Sequence, residues 1–148
     1  MKKNVCCVLL LIFAFSINSC SNDDEFPEKP QMWYEGTYEG TYKSTYHSEQ
    51  TNDAFLKYYK NPIWNSCPAK VIVKNIGIDS MEIQIISSLY TDRVKGQMKT
   101  IDNYTIKCGK YTISDGEISS YEFNYGLYDN GWGGGWLQGS SLKAYKIE

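Results

Sequence analysis

The chain has 148 residues, a net charge of −2 at pH 7 and 15% aromatic residues, with tyrosine the commonest of these at 13 copies. This length provides for one domain with a sizeable core rather than two. The weak charge, with no basic cluster, argues against nucleic acid as a partner.

The first 19 residues have the pattern of a secretory signal peptide. Lys2 and Lys3 form a basic start, and an apolar run follows over residues 5–17. The run is shorter than the roughly 20 residues of a membrane-spanning helix and matches a signal-peptide core. We therefore expect residues 1–19, with Cys6 and Cys7, to be removed.

Ile17, Ser19 and Cys20 resemble the lipobox of bacterial lipoproteins, which has an aliphatic residue three positions before the lipidated cysteine and a small residue just before it. The resemblance implies that Cys20 becomes the N-terminus and carries a diacylglycerol, which supplies the membrane affinity. The alternative is an ordinary signal peptide with an accidental cysteine. The predicted location is the outer membrane, on its periplasmic or its cell-surface side.

Residues 20–31 form a predicted tether. Ser21 is not the aspartate that typically retains lipoproteins at the inner membrane. The acidic residues 23–25 either resemble a surface-export signal of some Gram-negative anaerobes or are a solvated linker. Pro27 and Pro30 stiffen such a segment.

The remaining residues, 32–148, make one predicted domain that opens with a long strand. Tyr38 and Tyr42 fall on one face of this strand and threonines on the other, with the period of two that strands have. Gly36 and Gly40 allow the strand to bend strongly.

The rest of the domain alternates short strands with turn signals. Residues 54–60 fit either a helix turn or a strand, and Asn61-Pro62 ends them. Asp115-Gly116 is the strongest of several hairpin turns. Strands are predicted at residues 69–74, 81–86, 96–100, 104–107, 110–113, 118–128 and 136–147.

Eight or nine short strands joined by tight links predict an all-β, antiparallel up-and-down barrel, because closure removes the exposed edges of the sheet. A β-sandwich is the alternative. The spacing of Gly36, Tyr38, Gly40 and Tyr42 resembles the small lipocalin-like or calycin-like lipoproteins of Gram-negative anaerobes. The first strand lacks the Gly-x-Trp that true lipocalins have there, since Trp33 precedes Gly36. This departure weakens the transfer of a hydrophobic ligand.

Two cysteines remain in the domain, Cys67 and Cys108. An oxidising compartment permits a disulfide between them, worth roughly 3–4 kcal/mol in the chain-entropy model. Two free buried thiols or a partial metal site are the alternatives. His47 is the only histidine, so a zinc site is poorly supplied with ligands, and we expect neither a metal nor a cofactor.

No catalytic signature is present. His47 is the only candidate imidazole base and is expected to be a solvated loop residue. A pair of carboxylates for glycoside hydrolysis could not be selected from so many. We therefore predict that the protein is not an enzyme.

The segment from Trp132 to Trp136, with three glycines between the two indoles, is a candidate platform for a glycan or peptide, together with Tyr125 and Tyr128. The simpler interpretation is a glycine-rich hairpin whose tryptophans cap the barrel. Tyr38 could help to line a cavity or could fill the core.

The tyrosine row also includes Tyr42, as a candidate ligand contact. The sequence Asp79-Ser80-Met81 resembles an O-glycosylation sequon of gut-type bacteria, with Ser80 as the acceptor.

The leading functional hypothesis is a lipid-anchored binding protein for a small molecule, glycan or peptide. The alternative is an interaction module, such as a periplasmic protease inhibitor or an accessory subunit of a surface complex. A hydrolase that uses His47 or a carboxylate pair is the third hypothesis.

Overall fold

A computed structural model describes residues 32–129 and 131–147 of the protein, so the predicted signal peptide, tether and Cys20 lie outside the described residues. One helix and nine strands make up the described fold. They are β1 (Gly36–Thr51), α1 (Asn52–Lys60), β2 (Asn65–Gly77), β3 (Ser80–Ser87), β4 (Thr91–Gln97), β5 (Lys99–Asp102), β6 (Thr105–Cys108), β7 (Tyr111–Ser114), β8 (Glu117–Leu127) and β9 (Gly133–Lys146).

The nine strands form one antiparallel sheet in the order β4-β3-β2-β1-β9-β8-β7-β6-β5. The first and last strands pair along almost their whole length, from Tyr38 with Lys146 to Thr51 with Gly133. The sheet curls until its two edge strands, β4 and β5, are separated by the single residue Met98. A Cβ on Gly96 of β4 would also lie 3.0 Å from Cys108 Sγ of β6, the strand that pairs with β5. The predicted antiparallel barrel is confirmed, as a nearly closed one.

The barrel interior is filled with side chains around Tyr38. Tyr38 is fully buried and its hydroxyl donates a hydrogen bond of 2.7 Å to the Tyr34 carbonyl. Inward-facing residues alternate with exposed ones, as the period of a strand requires. The other fully buried side chains of this core include Val71, Val73, Met81, Ile83, Ile85, Tyr111, Ile113, Ile118 and Leu142.

The predicted hairpin turn at Asp115-Gly116 is confirmed. Asp115 and Gly116 have φ angles of 47° and 74°, the left-handed pair of a tight hairpin turn. At Gly40, a Cβ would lie 2.1 Å from the Lys143 carbonyl oxygen, so this glycine lets β1 and β9 approach closely.

The predicted strand 96–100 is divided in the structure. β4 ends at Gln97 and β5 begins at Lys99, because the Met98 amide between them donates a hydrogen bond to the Asp79 carbonyl at 2.8 Å. The sequence pattern did not predict the first part of β4, because Val94 is the only large aliphatic side chain in Thr91–Gln97.

β1, β8 and β9 extend beyond the barrel as a three-stranded wall. The outward face of this wall is covered by α1, which settles the ambiguity of residues 54–60 in favour of a helix. Phe55 of α1 is buried against the wall beside Gly135. Asp53 in the first turn and Lys57 in the last also favour a helix, since they complement its dipole.

The two ends of the barrel therefore differ. We call one end the mouth. There the wall extends past the β3–β4 loop and the β6–β7 turn. At the opposite end, which we call the lower end, the chain enters at Met32 and the β2–β3, β5–β6 and β7–β8 turns meet.

Candidate functional site

The mouth holds a cavity of about 510 Å³ above the filled core. Residues from six different parts of the chain surround it. The cavity is lined mainly by polar and aromatic side chains, among them Tyr42, Ser44, Tyr46, Leu89, Tyr90, Lys110, Glu122, Gln138 and Ser140.

Two stacked tyrosines form one side of the cavity. The rings of Tyr42 and Tyr90 are nearly parallel, with an interplanar angle of 8°. The Tyr90 hydroxyl donates a hydrogen bond of 2.5 Å to Asp92 Oδ2. Burial raises the pKa of the Tyr90 phenol well above its usual range, and the bond to Asp92 raises it further. The same bond lowers the pKa of Asp92, so this residue is a carboxylate at neutral pH.

An ion pair stands at the side formed by the β6–β7 turn and β8. Lys110 Nζ donates to Glu122 Oε2 at 2.9 Å, and Asn124 Nδ2 donates to Glu122 Oε1 at 3.4 Å. The bond from Lys110 lowers the pKa of Glu122. Burial is the largest single effect on the pKa of Lys110 and acts to lower it, but the bond to Glu122 and the charge interactions with Glu122, Tyr111 and Tyr42 together raise it. Both groups are therefore charged at neutral pH.

The wall behind the cavity is built by the pairing of β1 with β9. Ser44 lies opposite Ser140, and Tyr46 lies opposite Gln138. The Tyr46 ring is 69% exposed, although it shares the face of the buried Tyr42. The wall thus offers hydroxyl and amide groups beside one accessible aromatic ring.

These groups provide both donors and acceptors of hydrogen bonds, with aromatic rings close by. Such a mixture recognises hydroxyl-rich or amide-bearing ligands. Among the described residues, no three His, Cys, Asp or Glu side chains gather into a metal site.

The predicted aromatic platform is divided between the two faces of the wall. Trp136 lies on the mouth side against Gly126, and the Tyr128 hydroxyl lies 2.7 Å from Ser48 Oγ. Tyr125 lies on the outward side against Tyr59 of α1, with ring centroids 5.0 Å apart. Tyr125 of β8 pairs with Leu137 of β9, and the two share the outward face. Trp136 is the chain neighbour of Leu137 and faces the other way, because successive side chains of a strand alternate.

The glycines between Trp132 and Trp136 have a structural role. They begin β9 and do not form a loose loop. A Cβ on Gly134 would lie 2.3 Å from the Glu49 carbonyl oxygen, so a side chain there would push β1 and β9 apart. Trp132 precedes the strand and is exposed.

Cys67 and Cys108 are both buried free thiols, so the expected disulfide is not present in the structure. Cys67 lies on β2 opposite Tyr42, whereas Cys108 lies at the end of β6 opposite Tyr111. Burial acts to raise the pKa of the Cys67 thiol, but hydrogen bonds with Ser88 and Ser87 outweigh it and lower that pKa. Burial raises the pKa of Cys108.

His47 lies on the outward face of β1, away from the mouth. Its ring packs on Tyr58 of α1 with centroids 3.3 Å apart, and Nε2 lies 2.8 Å from Glu49 Oε1. The expected solvated loop histidine is therefore a partly covered strand residue. Ser80, the proposed glycan acceptor, is a half-buried residue that begins β3 at the lower end.

Sequence reasoning identified Tyr42 as a contact but missed the other principal groups of the mouth, Tyr90, Lys110, Glu122 and Gln138. One signal was available for Glu122. It has the same parity along β8 as the buried Ile118, and a charged residue on a core-facing row indicates a site or an open end.

No family model, curated protein or solved structure matches the chain. Within residues 32–129 and 131–147, no helix combines the length and the apolar character needed to cross a bilayer.

Proposed function

We propose that the protein is a non-enzymatic binding protein, held at the outer membrane by a lipid on Cys20, whose barrel mouth takes a small polar ligand of the carbohydrate class. The observation that carries this proposal is a polar cavity of about 510 Å³ set above a filled core. The mouth lies at the opposite end of the barrel from Met32, where the described chain enters the domain.

A sugar matches the groups that surround the cavity. Its hydroxyls can accept from the Lys110 ammonium, donate to the Glu122 carboxylate and do both with the Gln138 amide. Its apolar ring face can stack on the exposed ring of Tyr46. The charge-assisted bonds are the stronger ones, so the ion pair is expected to orient the ligand.

The filled core favours this ligand class over a large hydrophobic one. Tyr38, Tyr111 and Ile113 are fully buried at the barrel centre, where an apolar ligand would otherwise lie. The position of His47 also argues against the histidine hydrolase, since α1 covers it on the other side of β1.

The proposal is tested with the full chain on an array of neutral and acidic oligosaccharides, followed by calorimetry on each glycan that binds. We expect Tyr46→Ala and Glu122→Gln to weaken binding at least tenfold. Tyr121→Ala is the matched control, because this tyrosine is equally exposed, at 68%, but lies on the outward face of the wall. Equal affinity for the Tyr46 and Tyr121 variants, or no binding on the array, would reject the carbohydrate site.

One observation favours the interaction module as a second candidate. Trp64 and Tyr121 form an outward aromatic shelf beside Lys43, with a cavity of about 300 Å³. Exposed aromatic residues of this kind often form the centre of protein interfaces. In a pull-down from membranes, a partner that is lost with Tyr121→Ala and kept with Tyr46→Ala would support this candidate.

A further inference from the structure

The lower end of the barrel carries large apolar side chains that the fold does not use. Ile78, in the turn between β2 and β3, is 92% exposed, and Tyr104, in the turn between β5 and β6, is 71% exposed. Turns normally carry glycine, asparagine, aspartate or serine there. An isoleucine at such a position adds nothing to the core, so its apolar surface has no role in folding.

Backbone hydrogen bonds hold these turns together at one end. The Met98 amide donates to the Asp79 carbonyl at 2.8 Å, and the Lys146 amide donates to the Gly116 carbonyl at 2.7 Å. The Asp115 amide reaches the Tyr104 carbonyl at 3.4 Å. The exposed apolar residues of this end, which we call the lower rim, are Trp33, Ile76, Ile78, Ile101, Tyr104 and Ile147.

The chain enters the domain at the same end. Trp33 is fixed there, because its carbonyl accepts a hydrogen bond of 2.9 Å from Lys146 Nζ. Between Cys20 and Met32 the chain can span at most about 40 Å, since an extended residue covers roughly 3.3–3.6 Å. A lipid on Cys20 would therefore hold the lower rim within about 40 Å of the bilayer surface.

We propose that the lower rim is a membrane-seating face, which inserts its apolar side chains into the interface of a lipid bilayer. The inference rests on the lipid anchor of the proposed function. Trp33 and Tyr104 are the residue types that concentrate at the membrane interface. The turns and strands of this end carry charges of both signs, with Asp79, Asp102 and Asp115 as acids and Lys99, Lys107 and Lys146 as bases, so a zwitterionic surface is the occupant.

This face changes the role assigned to the anchor. The sequence alone assigned all of the membrane affinity to the lipid. With the lower rim seated, the domain has a fixed orientation, and the mouth at its other end points away from the bilayer.

The test uses the acylated full chain in phosphatidylcholine vesicles whose acyl chains carry bromine, which quenches tryptophan fluorescence at the interface. The part of the quenching that comes from Trp33 is obtained by subtracting the quenching measured for the same protein with Trp33→Phe. We expect this quenching in the wild type, its loss in the double variant Ile78→Asp/Tyr104→Asp, and no change in Tyr46→Asp at the mouth. Circular dichroism of each variant verifies that the barrel is folded.

Each other result overturns the inference in a distinguishable way. Protein that carries a fatty-acid label on Cys20 but shows no Trp33-dependent quenching rejects the seating face and leaves the anchor. Equal quenching in the wild type and the double variant has the same consequence. Absence of a fatty-acid label on Cys20 rejects the anchor and the seating face together. A dimer in detergent that Ile78→Asp dissociates would assign the lower rim to a second copy of the chain.

Discussion

The rings of Tyr42 and Tyr90 lie face to face at the barrel mouth, with centroids 5.0 Å apart. Tyr42 belongs to a central strand, whereas Tyr90 immediately precedes the edge strand β4. The stack therefore connects the centre of the sheet to its edge and shapes one side of the proposed ligand site.

Tyr90→Phe should keep this stack and remove the hydrogen bond to Asp92. We expect the free energy of unfolding at neutral pH to fall by about 1.5–3 kcal/mol, because the bond is made to a charged carboxylate. The pKa of Asp92 should rise, because its bond from Tyr90 is the largest cause of its lowering. Carboxyl NMR titration of the wild type and the variant measures this. An Asp92 pKa that stays where it was would contradict the predicted bond.

The same Asp92 carboxylate makes a contribution to stability with a defined pH dependence. Its pKa is lower in the folded protein than its ordinary value of 3.8, so the contribution is present above that value and is lost as the pH falls below it. Urea unfolding between pH 5 and 2 should show a smaller loss for Tyr90→Phe than for the wild type. Parallel losses in the two proteins would count against this linkage.

Tyr38 contributes to the pH dependence of stability at the opposite end of the range. Burial raises its pKa from 10.0 to about 12. Above pH 10 the unfolded phenol ionises while the folded one stays neutral, so the free energy of unfolding should fall as the pH rises from about 10 to about 12. Tyr38→Phe should make this fall less steep in urea unfolding. A slope for Tyr38→Phe that equals the slope of the wild type would contradict this effect of burial.

Gly134→Ala should destabilise the pairing of β1 with β9. The added Cβ would lie 2.3 Å from both the Glu49 carbonyl oxygen and the Gln50 carbonyl carbon. These are backbone atoms that cannot turn aside, so we expect a loss of about 1–3 kcal/mol or more. Gly77→Ala is the matched control, since its Cβ would meet Ser80 at an ordinary 3.5 Å. Equal stability of the two variants in denaturant unfolding would disprove the close approach.

The cysteines give a prediction about redox state. Cys67 and Cys108 should react as two free thiols, and reduction of the purified protein should leave its mass unchanged. Cys67 should be alkylated by iodoacetamide before Cys108, since the pKa of Cys67 is lowered and that of Cys108 is raised. Peptide mapping after timed alkylation gives the order of reaction. A gain in mass on reduction would contradict the prediction and show that the two cysteines form a disulfide.

Much of the fold was predictable because it depends on local pattern. The alternation around Tyr38 and Tyr42 defined a strand, and Asp115-Gly116 defined a hairpin turn, since few residue pairs adopt two successive left-handed conformations. Residues 54–60 were ambiguous because four large apolar side chains in seven positions fit either period. The wall that receives Phe55 exists only after β1, β8 and β9 have paired.

The sequence by itself determined the class of the fold, the succession of strands and turns, and the expectation of a lipid on Cys20, because each of these depends on neighbouring residues. Only the tertiary structure decided that Tyr90, Lys110 and Glu122 meet at one mouth, that Tyr125 and Trp136 face opposite ways, and that Ile78 and Tyr104 share one end. The physical reason is that strand register and barrel closure bring together residues far apart in the chain, which local periodicity does not encode.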